Sequence, residues 1–232
     1  MTKAYGKFAS LPNVREEIDG IVKPRGILPG ETLLDEGFTW NAMKNSLRKR
    51  YSLVHIASHF NFTPGNDTES YLLLGDGTSL PLSAMKTQTG VFGGVELLTL
   101  SARNTASGDE MKDKDGKEVE GFAVLAQRQG AKAVVATLWP VADESTSLLM
   151  REFYKLREAK KLTKGEALRQ AQMTLLTGKT QGDPAKNVER AANQLKDEKA
   201  PPKRAKTFRI DPEKPFAHPY YWAPFILMGN WK

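Results

Sequence analysis

The sequence predicts an α/β fold, a mostly parallel central sheet with helices on both faces, and three observations carry that prediction. The runs Tyr51–Ser58, Val95–Ala102, Ala131–Leu138 and Ala223–Met228 are apolar nearly throughout, as strands covered on both faces are. Segments with helical apolar spacing lie between them. Strands and helices alternate along the chain, the order of a parallel sheet with right-handed crossovers.

In Ser10–Val22, Val14, Ile18, Ile21 and Val22 fall on one helical face, and Ser10 with Pro12 supplies a start. Thr39–Arg50 repeats Trp40, Met43 and Leu47 at helical spacing. Tyr71–Leu82 departs from the pattern and reads as a short hairpin turning at Gly75-Asp76-Gly77, an excursion at the sheet's edge. Gly121–Gln129 is amphipathic and closes on Gly130, which suits a left-handed terminus. Glu144–Glu158 follows Asp143 as its cap, and a last helix opens at Thr163, where Thr163 and Glu166 have capping-box spacing. Two stretches read as inserts: the charged loop Asp109–Glu120, and Gly178–Pro215, polar and mobile apart from a helical middle at Pro184–Lys196.

A chain of 232 residues with 40% hydrophobic and 26% charged residues is long enough for one domain with a sizeable core. Its net charge of +7 is concentrated in Gly178–Pro215, with 10 basic and 6 acidic residues, so no nucleic-acid-binding face is implied. No apolar run reaches the ~20 residues of a membrane span, and MTKAYGKFAS has no apolar leader core. A cytoplasmic protein without membrane partners is expected. Cysteine is absent, which excludes disulfides, thiolate metal sites and a cysteine nucleophile.

Ligands of open α/β sheets bind beyond the carboxyl ends of the strands. Three such ends carry notable residues: His55–His59, Ser101–Thr105 and Trp139–Glu144. His55 and His59 have the spacing of a zinc-protease helix, but Ile56 stands where glutamate is needed and the segment reads as strand, so no metal site is expected. His55 is expected inside the sheet as a hydrogen-bonded structural residue. His59 is expected at the exposed end, where a general base works. Ser101 and Ser107 lie near the second end without a G-x-S-x-G elbow, leaving a serine hydrolase as the rival chemistry.

Together, Leu11–Ile21, Val54–Phe60 (VHIASHF), Leu97–Gly108 (LLTLSARNTASG), Gly121–Glu144 and Phe216–Trp231 resemble the CHAT peptidases, caspase-like and separase-like domains often joined to tetratricopeptide repeats. The resemblance implies a caspase-like αβα sandwich over residues 1–232, part of a longer protein, cleaving peptide bonds of a protein or peptide substrate with a His–Cys dyad and no cofactor. Residue by residue, it makes His59 the dyad histidine and Arg103 the occupant of the nucleophile position, 44 residues on, from 59 to 103. The amides of Phe60 and Arg103 become the oxyanion donors. Phe60 departs from the glycine usual after the family's histidine.

Arginine cannot form an acyl-enzyme, so no cysteine-peptidase activity is expected. The domain is then either a pseudo-peptidase acting as a binding or scaffold module, or a peptidase inactivated in this copy. Asp143 and Glu144, after Trp139, lie where the family's crevice is walled, and two carboxylates there favour a basic side chain before the scissile bond. The alternative is that both cap the helix that begins there. Trp139 either lines that pocket or packs in the core.

Overall fold

The computed structural model describes residues 1–61, 63, 66, 68–102, 117–139, 141–179 and 211–232. Its central sheet has four strands, β1 (Leu53–Ser58), β5 (Leu97–Ala102), β6 (Ala133–Thr137) and β7 (Phe225–Gly229), in the order β1-β5-β6-β7. β1, β5 and β6 are parallel, and β7 closes the sheet antiparallel to β6. A second, antiparallel sheet joins β2 (Phe60–Asn61), β3 (Tyr71–Leu73) and β4 (Ser79–Pro81). The expected hairpin is thus β3–β4, but it pairs with the short continuation of β1 in a sheet of its own.

Helices cover both faces of the central sheet. They are α1 (Asn13–Ile21), α2 (Trp40–Arg48), α3 (Leu82–Lys86), α4 (Lys117–Arg128), α5 (Asp143–Lys160) and α6 (Lys164–Thr177). One core packs Met43 of α2, Met85 of α3 and Phe122 of α4 onto Ile56, Leu98 and Val134. The other packs Ile21 of α1, Phe153 of α5 and Leu168 of α6 onto Leu97 and Val135. Alternate strand residues therefore feed opposite cores, which is why the strand sequences are apolar without a break. The fold is the expected αβα sandwich.

Several boundaries differ from the sequence reading. α1 starts at Asn13 with Pro12 as its N-cap and no side-chain cap, so Ser10 lies outside it. Val22 is its C-cap and bridges to Leu28. α4 begins at Lys117, so 117–120, read as the end of a charged loop, form its first turn; lysine and glutamate are good helix formers without apolar periodicity. Asp143 is the first residue of α5 and Ala142 its N-cap, because Asp143 Oδ2 accepts instead from the Asn13 N–H at 2.7 Å. The remaining residues of both expected inserts, 109–116 and 180–210, lie outside the described residues.

The capping box matches the reading, and a second side-chain cap stands at the start of the Thr39–Arg50 segment. Thr39 Oγ1 accepts from the Ala42 N–H at 3.1 Å at the start of α2. Thr163 and Glu166 form a complete capping box on α6. Thr163→Ala is expected to cost about 1 kcal/mol in urea denaturation, and an unchanged midpoint would mean the box contributes nothing.

Candidate active site at the ends of β1 and β5

β1 and β5 run in step from Leu53 opposite Leu97 to Ser58 opposite Ala102. His59 is the residue after Ser58, and Arg103 the residue after Ala102. Arg103 and Ser107 lie outside the described residues.

His59 is buried, contrary to the expectation of an exposed strand end. The chain ahead of α1 folds over it. The Phe8 ring lies 5.1 Å from the imidazole, tilted by 37°, and His59 Nε2 is 2.9 Å from the Ala9 carbonyl oxygen. A carbonyl oxygen only accepts, so Nε2 carries the hydrogen and, in the neutral ring, Nδ1 is the acceptor nitrogen. β3 holds the backbone beneath: Ser58 Oγ donates to the Leu73 carbonyl at 2.5 Å, and the Leu73 N–H donates to the His59 carbonyl at 2.9 Å.

That last bond makes His59 and Leu73 a hydrogen-bonded pair, so the next pair in register, Phe60 and Leu72, is of the other kind. The Phe60 N–H therefore points away from β3. The Phe60 side chain is buried, meeting Phe122 of α4 edge-on at 5.3 Å.

The segment that orients His59 is itself pinned. The Met1 amine donates to the Ala57 carbonyl at 2.8 Å, the Leu11 N–H to the Thr2 carbonyl at 3.0 Å, and the Tyr5 hydroxyl to the Gly75 carbonyl at 2.6 Å. Glycine at 75 also admits the Asp35 backbone, since a Cβ there would lie 2.0 Å from the Asp35 carbonyl oxygen. The Thr2 N–H donates to Asp35 Oδ1 at 2.6 Å, and the Thr2 hydroxyl donates to the same carboxylate. Burial opposes ionisation of Asp35, but the Thr2 hydrogen bonds outweigh it and hold the carboxyl below its ordinary 3.8. A lowered folded value contributes stability that is complete above the ordinary value and fades as pH falls through the folded one. The thermal midpoint of the native chain is therefore expected to exceed that of Asp35→Asn at pH 6, with the gap narrowing as pH falls below 3.8. A gap unchanged down to pH 2 would contradict this.

The other expected site residues are placed as follows. Asp143, through Asn13, and His59, through Ala9, are tied to the same short stretch, residues 9–13, that leads into α1. Glu144 follows in the first turn of α5, and both carboxylates complement that helix's dipole. Trp139 is half-buried and its Nε1 donates to the Tyr220 carbonyl at 3.1 Å, which ties the end of β6 to the turn before β7. His218, without a role in the sequence reading, accepts the Tyr220 N–H at 3.2 Å and caps that turn. Ser101 Oγ is buried with no hydrogen-bond partner among the described residues, so no described base serves it as a nucleophile.

A buried polar chain escaped the sequence reading. Glu17 Oε1 is 2.7 Å from His55 Nε2, His55 Nδ1 is 3.3 Å from the Tyr154 hydroxyl, and that hydroxyl is 2.8 Å from Thr99 Oγ1. Burial pushes the Tyr154 phenol well above its ordinary value, so it remains a hydrogen-bond donor at physiological pH. With Glu17 ionised, the order is Thr99 to Tyr154 to His55 to Glu17, each donating to the next. His55 is thus a structural histidine, as its position in the strand predicts.

A mostly parallel sheet with helices on both faces is consistent with a caspase-like αβα sandwich. The CHAT domain family model matches residues 3–230, nearly the whole sequence, and the chain belongs to that family. No curated protein matches it. Among the described residues, no helix is long and apolar enough to cross a membrane, and no group of three or more His, Cys, Asp or Glu side chains is arranged to hold a metal.

Proposed function

We propose that this domain is a peptidase of the His–Cys dyad type silenced at one position, with His59 as the base and Arg103 where the thiol belongs. The observation that carries the reading is the pairing of Ser58 with Ala102. A base and a nucleophile on the next residue of each strand would stand side by side on adjacent parallel strands, at the carboxyl ends where such sheets do chemistry. The Nε2–H tautomer set by Ala9 supports it, because Nδ1 is then the nitrogen that takes a proton. The Phe60 N–H, turned away from β3, supports its role as an oxyanion donor. Asp143 and Glu144 favour a basic side chain ahead of the scissile bond.

With arginine at position 103 the domain forms no acyl-enzyme. The test is Arg103→Cys, treated with a thiol-directed peptide electrophile and followed by intact mass. One adduct on the variant and none on the native chain supports the reading; no adduct on either opposes it. A second reading, a peptide-binding module that has lost chemistry altogether, is favoured by Phe60, whose large side chain stands where the family usually has glycine. That reading expects the peptide to bind native chain and variant equally, without covalent capture.

A further inference from the structure

Counted along the sequence, the charge excess falls in Gly178–Pro215; counted in space, a larger one gathers at the amino end of the central sheet. α2, α3 and α4 end where β1, β5 and β6 begin, and α1 and α5 end beside them. The connecting segments at this end, 23–31, 48–52, 86–96, 128–132 and 157–164, hold 12 basic and 3 acidic residues. The other residues hold 22 and 24, the balance of the chain's 34 and 27. Only the crossovers bring the five segments together, so sequence order hides the gathering. Ten of the 12 basic side chains are exposed. The three carboxylates are already engaged: Glu31 pairs with Lys49, Glu96 with Lys132 at 2.6 Å and Glu158 with Arg157 at 2.8 Å. Among the described residues, no carboxylate pairs with Arg48, Arg50, Arg128, Lys160 or Lys161. Burial first, and then the charge of Arg157, holds the Lys164 amine below its ordinary value.

Cations at helix carboxyl ends complement the helix dipoles, but five such ends at about half a negative charge each offset only two or three of the 12. Two positions go further. Arg50 and Lys161 close α2 and α5 in left-handed backbone, at φ 57° and 51°, where Gly130 and Gly178 serve α4 and α6. A side chain there has a conformational cost that glycine avoids, so charge rather than backbone geometry accounts for both residues. Trp231 stands at the same end. Its carbonyl accepts the Gly165 N–H at 3.1 Å, and the Asn230 N–H before it donates to the Lys132 carbonyl at 2.9 Å. It is 56% exposed, the most exposed large hydrophobic side chain among the described residues. The ends of β1 and β7 lie three strand spacings apart, about 14 Å, which sets the breadth of the face.

We infer that this end of the sandwich binds a single-stranded nucleic acid, its phosphates met by the lysine and arginine side chains and a base laid on Trp231. The helix ends here present carbonyls rather than N–H groups, so side chains carry the phosphate contacts and binding is indifferent to base sequence. An acidic peptide would use the same cations with no base to lay on the indole. The inference stands apart from the peptidase reading, because the face lies at the opposite end of the sheet from His59.

The test is fluorescence anisotropy of a labelled oligothymidylate of about twelve nucleotides with the full chain. Binding is expected at about 50 mM salt and should weaken about tenfold or more at about 200 mM, the dependence of three or more phosphate contacts on a single strand. Arg50→Gly with Lys161→Gly should weaken binding about fivefold or more at the lower salt and flatten the salt dependence, with a melting temperature no lower than that of the native chain. Arg48→Gln with Arg128→Gln repeats the charge test without touching the left-handed positions. Trp231→Ala should also weaken binding about fivefold or more, but leave the salt dependence unchanged. No binding at the lower salt, or binding that neither charge variant weakens, would overturn the inference. An affinity that Trp231→Ala leaves unchanged would overturn it too, and equal binding of a polyglutamate of similar length would then assign the face to an acidic protein.

Discussion

Arg103→Cys is expected to capture a peptide electrophile quickly at pH 7, and the same variant carrying His59→Ala about 100-fold more slowly or worse. A cysteine at its ordinary value near 8.5 is only a few per cent thiolate at pH 7, so unaided capture is slow. A positioned imidazole accepts the thiol proton and contributes roughly 10²–10⁴ in rate. The Ala9 carbonyl, by engaging Nε2, leaves Nδ1 as the nitrogen that takes the proton in this role. The measurement is the adduct rate by intact mass across pH 5 to 9. Equal rates with and without His59 would remove it from the site and leave the new thiol as an ordinary surface nucleophile.

Glu17→Ala and His55→Ala are each expected to destabilise the fold by about 3–5 kcal/mol, the cost of leaving the other member of a buried pair without its partner. Glu17 is fully buried and the His55 side chain only 8% exposed, so water does not readily replace either partner. The chain spans α1, β1, α5 and β5, so the loss loosens the packing of both helices on the sheet. The double variant Glu17→Leu with His55→Leu is expected to recover much of the loss, since it removes both polar groups together. Urea midpoints of the three variants decide the matter. Single variants within 1 kcal/mol of the native chain would show the pair to be solvated in solution. Tyr154→Phe, which removes one hydroxyl and leaves His55 Nδ1 and Thr99 short of a partner, should cost about 1–3 kcal/mol.

The strands were legible because each is buried on two sides and so is apolar in succession; β1, β5, β6 and β7 fall inside the four predicted runs save for Gly229 at the end of β7. The direction of β7 was not legible, because a run of apolar residues does not say which way its strand lies. Helix ends were legible where side chains make the cap, as at Thr39 and Thr163, and misread where the contact is tertiary. Asp143 looks like a cap in sequence, yet its carboxylate reaches back 130 residues to Asn13. His59 was legible as the residue that follows β1 but not as a buried one, since its cover comes from Phe8 and Ala9, which have no periodicity to mark them. Glu17 carried a signal that went unused: it sits between Val14 and Ile21 on the inward face of α1, where an acid needs a buried partner. Arg103 itself remains a sequence observation, as it lies outside the described residues.

The atom that sets the His59 tautomer belongs to the main chain. Every amino acid brings the same carbonyl to position 9, so genetic drift there leaves the acceptor chemically intact, whereas a side-chain acceptor would vanish with one codon change. A single side-chain substitution at Ala9 would consequently leave this contact in place. What can disable the contact is displacement: a deletion or insertion between Tyr5 and Pro12 that shifts the oxygen away from the ring. Within this fold, vulnerability at the histidine is a matter of indels rather than of substitutions.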